Sequence, residues 1–246
     1  MSIFTIADLH LSTNESTNKS MEVFGKRWKD YVEKLRRNWV SLVSPADTVI
    51  IPGDISWAMT LKEATQDFKF LDSLPGQKII GKGNHDFWWA TLSKIRTFFE
   101  ENEIKTISSL YNNAFAVEDY VICGSRGWFN DEGLSGIPKN TDYEKIIHRE
   151  VMRLKLSLEE GKQFPTERER LVFLHFPPLF REFRCQELID VLKEYGVTRC
   201  FFGHIHGCYD LPSRFEDDGI TYELISADHL NFTPKKIFPL SKNENM

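Results

Sequence analysis

Asp8 and His10 stand two residues apart at the end of the apolar run IFTIAD, and His204 and His206 repeat that spacing after CFFG. Residues two apart just beyond a strand can turn the same way and chelate one ion, or divide between two. Between these pairs the chain carries Asp54 in GD (53–54), Asn84, His85 and Asp86 in GNHD (83–86), and His175 in HFP (175–177). The donors are oxygen and imidazole nitrogen, with no thiolate. Such a set suits Mn²⁺, Fe or Zn²⁺ better than a structural zinc, and it is richer in nitrogen than a Ca²⁺ or Mg²⁺ cage. Asp8, His10, Asp54, Asn84, His175, His204 and His206 make seven ligands, too many for one tetrahedral site. Shared by two ions with one carboxylate bridging, they leave room for water. Two such ions about 3.5–4 Å apart activate a water and clamp the attacking and leaving oxygens in hydrolysis at phosphorus.

These residues need elements to bring them together. The stretch GKGNHDFWW (81–89) taken alone reads equally well as a turn closing a strand, so the partners elsewhere decide its meaning. Runs at 3–8, 47–54, 78–83, 120–125, 171–176 and 200–206 are rich in Val, Ile and Phe, and most end in Gly, Asp or His, which reads as strands. Segments 28–43, 61–74, 89–102, 141–162 and 185–196 place apolar residues at helical spacing and stop near Pro or Gly. Residues 114–125 read as two strands meeting at Glu118-Asp119 in a hairpin. Buried strands alternating with helices imply an α/β protein with covered sheets, and ligands bind at the carboxyl ends of such strands. We expect one domain over 1–240, with a helical insert at about 130–168 and a polar tail at 241–246.

Bulk properties narrow the class. The chain has 246 residues, 41% hydrophobic and 27% charged, an ordinary globular composition, and its formal net charge of −5 argues against broad nucleic-acid binding. The N-terminal run does not read as a signal peptide, and no apolar run is long enough for a membrane span. Cys123, Cys185, Cys200 and Cys208 are scattered and form no C-x-x-C pair. They read as reduced thiols of a cytoplasmic protein, with Cys208 more readily a small buried residue than a ligand.

The ordered series D-x-H, G-D, G-N-H-D, H-x-P and G-H-x-H, from Asp8 to His206, resembles the calcineurin-like metallophosphoesterases. The resemblance implies two facing mixed β-sheets flanked by helices, a four-layer αββα sandwich, with two divalent metal ions at the sheet edge, manganese foremost and iron or zinc as alternatives. It implies that Asp8, His10, Asp54 and His206 hold one ion, and that Asp54 (bridging), Asn84, His175 and His204 hold the other. It implies further that His85 faces the leaving-group oxygen and Asp86 orients its ring. The reaction expected is attack of a metal-bridging hydroxide on a phosphate ester, with protonated His85 as general acid.

The substrate is read less sharply. Arg126 in GSRGW fits a non-bridging phosphate oxygen or an ordinary surface turn. Trp57 and Trp88 could wall the cleft for a flat substrate group, while helix-to-sheet packing suits at least one of Trp88 and Trp89. His229 could approach the site, and His148 reads as a surface residue. Protein Ser/Thr phosphatases of this family carry an Asp-Arg pair after G-D and read G-N-H-E; here Ile55-Ser56-Trp57 follows and Asp86 ends the motif. That favours a small phosphodiester or nucleotide-like substrate over a phosphomonoesterase or protein phosphatase. A non-catalytic metal-binding scaffold is the alternative from another class, and it would be marked by missing ligands. The insert helix, with Arg149, Arg153 and Lys155, could cap the site or make a homodimer contact.

Overall fold

The computed structural model describes residues 1–14, 21–128 and 142–238. Strands β1 (Ile3–Thr5), β2 (Thr48–Ile51), β3 (Gln77–Ile80) and β4 (Ile107–Ser109) begin a list that continues with β5 (Phe115–Val117), β6 (Tyr120–Ser125) and β7 (Glu169–Leu174). After the short hairpin β8 (Leu179–Phe180) and β9 (Phe183–Arg184) come β10 (Arg199–Phe202), β11 (Arg214–Asp217), β12 (Ile220–Leu224) and β13 (Lys235–Ile237). The α-helices are α1 (Tyr31–Leu42), α2 (Thr65–Ser73), α3 (Leu92–Glu101), α4 (Tyr143–Gly161) and α5 (Gln186–Glu194).

Two mixed sheets result. One runs β13-β1-β2-β3-β4, parallel except for β13; the other runs β11-β12-β10-β7-β6-β5, parallel in its centre with antiparallel edges. Alternation along the strands builds three apolar layers. Val49 and Ile51 face Leu35, Trp39 and Phe68 of the first helical layer, while Val172, Leu174 and Phe202 face Leu154, Leu188 and Leu192 of the second. Ile50, Ile79, Leu171, Phe173 and Phe201 point the other way and fill the space between the sheets. Ala7 and Ser226 stitch the two sheets together as an isolated parallel bridge, with Ala7 N on Ile225 O at 2.8 Å.

The helices have readable causes. In α1, Tyr31, Leu35 and Trp39 recur at four-residue spacing and are its buried stripe. Thr91 caps α3 and Asp142 caps α4, each side chain accepting the N–H three residues on.

All five expected helices form, and so does the 114–125 hairpin as β5 and β6. The strands end earlier than expected. β2 stops at Ile51 and β10 at Phe202, so the motif residues lie in the loops beyond the ladders. The reason is conformational: Asp8, His10, Asp54 and His204 have φ of 59°, 45°, 51° and 69°, a left-handed backbone that no ladder accepts. β4, β11, β12 and β13 escaped the sequence reading because they are short or mix charged and polar residues into their runs. Residues 129–141 of the expected insert, and the 241–246 tail, lie outside the described residues. Among the described residues no helix is long and apolar enough to cross a membrane.

Phe68 is fully buried and makes edge contacts with Trp88 and Phe99. Phe68→Ala is expected to lower unfolding free energy by about 3–5 kcal/mol. A urea midpoint matching wild type would mean that this aromatic cluster does not hold the first helical layer on its sheet.

Candidate metal centre

Every loop of the site follows the carboxyl end of a strand. Asp8 and His10 follow β1, Asp54 follows β2, Asn84 and His85 follow β3, His175 follows β7, and His204 and His206 follow β10. The loops pack too closely for side chains between them. A Cβ on Gly83 would sit 2.0 Å from Asp54 Oδ1, and one on Gly203 would sit 2.5 Å from Asp8 Oδ2. Glycine precedes Asp54, Asn84 and His204 in the motifs, and at Gly83 and Gly203 the need is close approach.

The seven expected ligands converge. His10 Nε2 lies 3.2 Å from His206 Nε2, and Asp54 Oδ2 lies 3.6 Å from both His10 Nε2 and His175 Nε2. Asn84 Oδ1 lies 2.5 Å from His175 Nε2 and 3.1 Å from His204 Nδ1. Asp8 accepts from His204 N at 2.9 Å and has its other oxygen 3.5 Å from His175 Nδ1. Two groups have ligand atoms all within 4.8 Å of one another: Asp8, His10 and His206, and Asp8, Asp54 and His175.

A metal fits these residues on chemical grounds. Asp8 Oδ1, His10 Nδ1 and His175 Nδ1 are buried without a hydrogen-bond partner among the described residues, and buried polar atoms are seldom left so. Burial pushes the Asp8 carboxyl up to about 6 against the pull of His206. Burial, and then the charges of Asp86 and Asp8, hold Asp54 well above the ordinary carboxylate range. Burial drives His10 and His175 well below the usual imidazole value, and His204 down to about 3. Neutral imidazoles beside carboxylates that resist ionisation are a cleft built for added positive charge.

The Asp86 carboxylate is held by backbone N–H groups and one indole. Its Oδ2 accepts from Asp54 N at 2.8 Å and Gly83 N at 2.7 Å. Its Oδ1 accepts from Ile55 N at 2.8 Å, Ser56 N at 3.3 Å and the Trp88 indole at 2.9 Å. The carboxylate therefore ties the β2 loop to the β3 loop. Its link to His85 runs through the backbone, because His85 N donates to Asp54 Oδ1 at 2.8 Å. These bonds make Asp86 a residue that shapes the loop presenting Asp54.

The tryptophans separate. Trp57 is half-buried, stacks on His10 with centroids 4.9 Å apart, and lies 4.4 Å from the His85 ring. Trp88 is only 2% exposed and packs on Phe68, the packing arrangement expected of at least one of Trp88 and Trp89. Arg126 is bound up with Glu150, 3.5 Å away, and Phe176 N donates to its carbonyl at 2.8 Å. His229 Nδ1 meets Cys208 O of the β10 loop at 3.1 Å, and His148 is exposed.

Three neighbours of the site escaped the sequence reading. Asp228, fully buried, accepts from His206 Nδ1 at 2.8 Å and from Gly207 N and Tyr209 Oη at 3.0 Å. That bond turns His206 Nε2 toward the metal-facing side. Burial opposes a charged His206, but Asp228 and Asp8 outweigh it and raise its pKa. Trp28 packs edge-on against both His10 and His206, and Tyr31 Oη donates to His10 O at 2.5 Å. The signal available for Asp228 was an Asp-His pair in SADH (226–229), four residues past the end of β12; Trp28 and Tyr31 look like ordinary core residues.

With this geometry in place, the profile of the calcineurin-like phosphoesterases matches residues 1–208, and the chain belongs to that family, a family of phosphate-ester hydrolases. No curated protein matches. Among solved structures, the phosphopantetheinyl hydrolase PptH of Mycobacterium tuberculosis is similar at 17% identity and a TM-score of 0.56, covering 97% of this chain and 96% of that one. The TT1561 protein of Thermus thermophilus is similar at 13% identity and a TM-score of 0.54, covering 96% and 97%. At these identities the likeness concerns the fold.

Asp228→Asn is expected to weaken divalent-metal affinity by about tenfold or more, read by chelator competition; unaltered affinity would reduce Asp228 to a loop residue. Metal binding should also depend on pH in a stated direction. Below about 6 Asp8 holds a proton that a metal must displace, whereas His204, at about 3, is already neutral. The rise in melting temperature on adding Mn²⁺ should therefore grow from pH 5 to pH 7.5. A rise independent of pH would contradict the protonated Asp8.

Proposed function

We propose that this protein is a two-metal phosphodiesterase acting on a small, nucleotide-like ester. Asp8, His10, Asp54 and His206 would hold one ion, and Asp54, Asn84, His175 and His204 the other. The observation that supports the reading is Asp54 Oδ2, which lies 3.6 Å from one imidazole of each set. Two bound ions supply an activated water and neutralise charge at the phosphoryl group.

The chain's own residues do the rest. Asp86 and the glycine-packed loops hold Asp54 in place, so positioning is built in before substrate arrives. His85 carries a proton to the leaving oxygen at a site where an alkoxide would depart poorly. Trp57, stacked on His10 and close to His85, offers an aromatic face beside the reacting group. That face, together with a G-D motif lacking the Asp-Arg pair, supports a diester with a flat group over a phosphomonoester. A structural neighbour named a phosphopantetheinyl hydrolase is compatible with a small-molecule substrate. All seven ligands and His85 are present, which speaks against a non-catalytic scaffold.

Metal-stripped protein reloaded with Mn²⁺ should hydrolyse bis-p-nitrophenyl phosphate faster than p-nitrophenyl phosphate, and Asp54→Asn should lose turnover. His85→Ala should lose about 10²–10⁴-fold on a diester with an alkyl leaving group and far less on the p-nitrophenyl ester, which needs no acid. Equal losses on the two would remove the acid role, and faster monoester turnover would reverse the substrate reading.

A further inference from the structure

A second charged feature borders the cleft, on the side of Asn84 and His175. Arg126 follows the end of β6, and its guanidinium lies 5.8 Å from the Phe176 ring. That ring in turn lies 4.5 Å from the His204 ring. Lys82 lies in the β3 loop, two residues before Asn84, within the field of Arg126 and Arg153. Arg149 and Arg153, one turn apart on α4, complete the cluster and both act on Arg126.

Among these cations, the guanidiniums of Arg126 and Arg153 share the Glu150 carboxylate. Glu150 is 1% exposed, and its Oε1 takes Arg153 at 2.5 Å and Arg126 at 3.5 Å. Lys155, by contrast, leaves the cluster and pairs with Glu194 of α5 at 2.8 Å. Four cations facing Glu150 and Asp86, in a chain of net charge −5, are a local reversal of sign. Like charges so close repel unless an anion joins them. Two N–H donors there, Arg126 Nε and Trp128 Nε1, are buried with no hydrogen-bond acceptor among the described residues. Guanidinium groups held by a neighbouring acid and backed by rings are oriented forks, the geometry that suits phosphate oxygens. Arg126 lies over Trp128 and Phe176, and Arg153 over Tyr111.

We infer that Lys82, Arg126, Arg149 and Arg153 form a subsite for a second phosphate of the substrate, beside the ester that is cleaved. This rests on the phosphodiesterase reading and narrows it to a substrate carrying two phosphate groups. Glu150 would be a positioning residue that holds the two guanidiniums apart. The insert helix would then serve recognition.

The test is calorimetric binding to the Mn²⁺-loaded protein, comparing thymidine 5′-monophosphate with thymidine 3′,5′-bisphosphate and thymidine 5′-diphosphate. At least one of the two doubly phosphorylated ligands should bind tenfold or more tightly than the monophosphate. Lys82→Met and Arg149→Gln, which orphan no buried carboxylate, should each cut that ratio at least threefold. Lys155→Gln, a charge change outside the cluster, should preserve it. Equal affinity for all three ligands in the wild type would overturn the inference. So would a preference that survives both cluster substitutions, or one that Lys155→Gln reduces equally. Because binding is read without turnover, failure to hydrolyse any diester would count against the activity and not against this readout.

Discussion

Burying the Asp8 and Asp54 carboxylates in one cleft is costly, because each loses its water and each repels the other. Both have their proton affinity raised, and Asp54 also feels Asp86. Much of the surrounding construction is intelligible as a response to that burden. Backbone N–H groups of His204 and His85 donate to the two carboxylates, and the imidazoles nearby stay neutral. A pair of divalent ions would remove the remaining repulsion, so metal binding and local stability are coupled in the same residues.

Holding the two carboxylates in place demands unusual backbone. Non-glycine residues with left-handed φ cost about 1–3 kcal/mol each and persist only where the surroundings over-determine them. Here Asp86 supplies that determination by gathering four backbone N–H groups from the β2 and β3 loops and one indole. Trp88 is therefore conscripted into the framework: its ring packs on Phe68 and its N–H anchors Asp86. Trp57, which belongs to a different loop, lies instead against the rings of His10 and His85.

The cleft is electrostatically lopsided. On the His206 side stand the buried Asp228 and the Arg27–Tyr209 pair, with Arg27 donating to the Asp228 carbonyl at 3.0 Å. On the Asn84 and His175 side stand the cations of α4 and the β3 and β6 loops. An ester lying across the metals would thus meet a carboxylate-tuned histidine at one end and a positive field at the other, which gives the site a polarity for orienting substrate.

The chemistry was legible in the sequence because metal ligation depends on residue type and spacing. D-x-H, G-D, G-N-H-D, H-x-P and G-H-x-H gave the candidate donors, their order along the chain and the strand ends that carry them. The helices were legible as well, since one buried stripe per helix leaves a periodic trace, as in Tyr31, Leu35 and Trp39. What escaped is whatever depends on contacts between loops distant in sequence. Asp86 beside His85 invites the idea of a local dyad, yet its oxygens turn to residues about thirty positions earlier. Asp228 meets His206 only because β12 lies parallel to β10. Arg126 and Lys82 join Arg153 only where the β6 and β3 loops meet the middle of α4. Sequence alone determined the donors and their spacing, because those are properties of residue type along a strand or helix. Tertiary structure alone decided which carboxylate serves which neighbour, because that is set by sheet order and by loops packed too tightly for any residue but glycine.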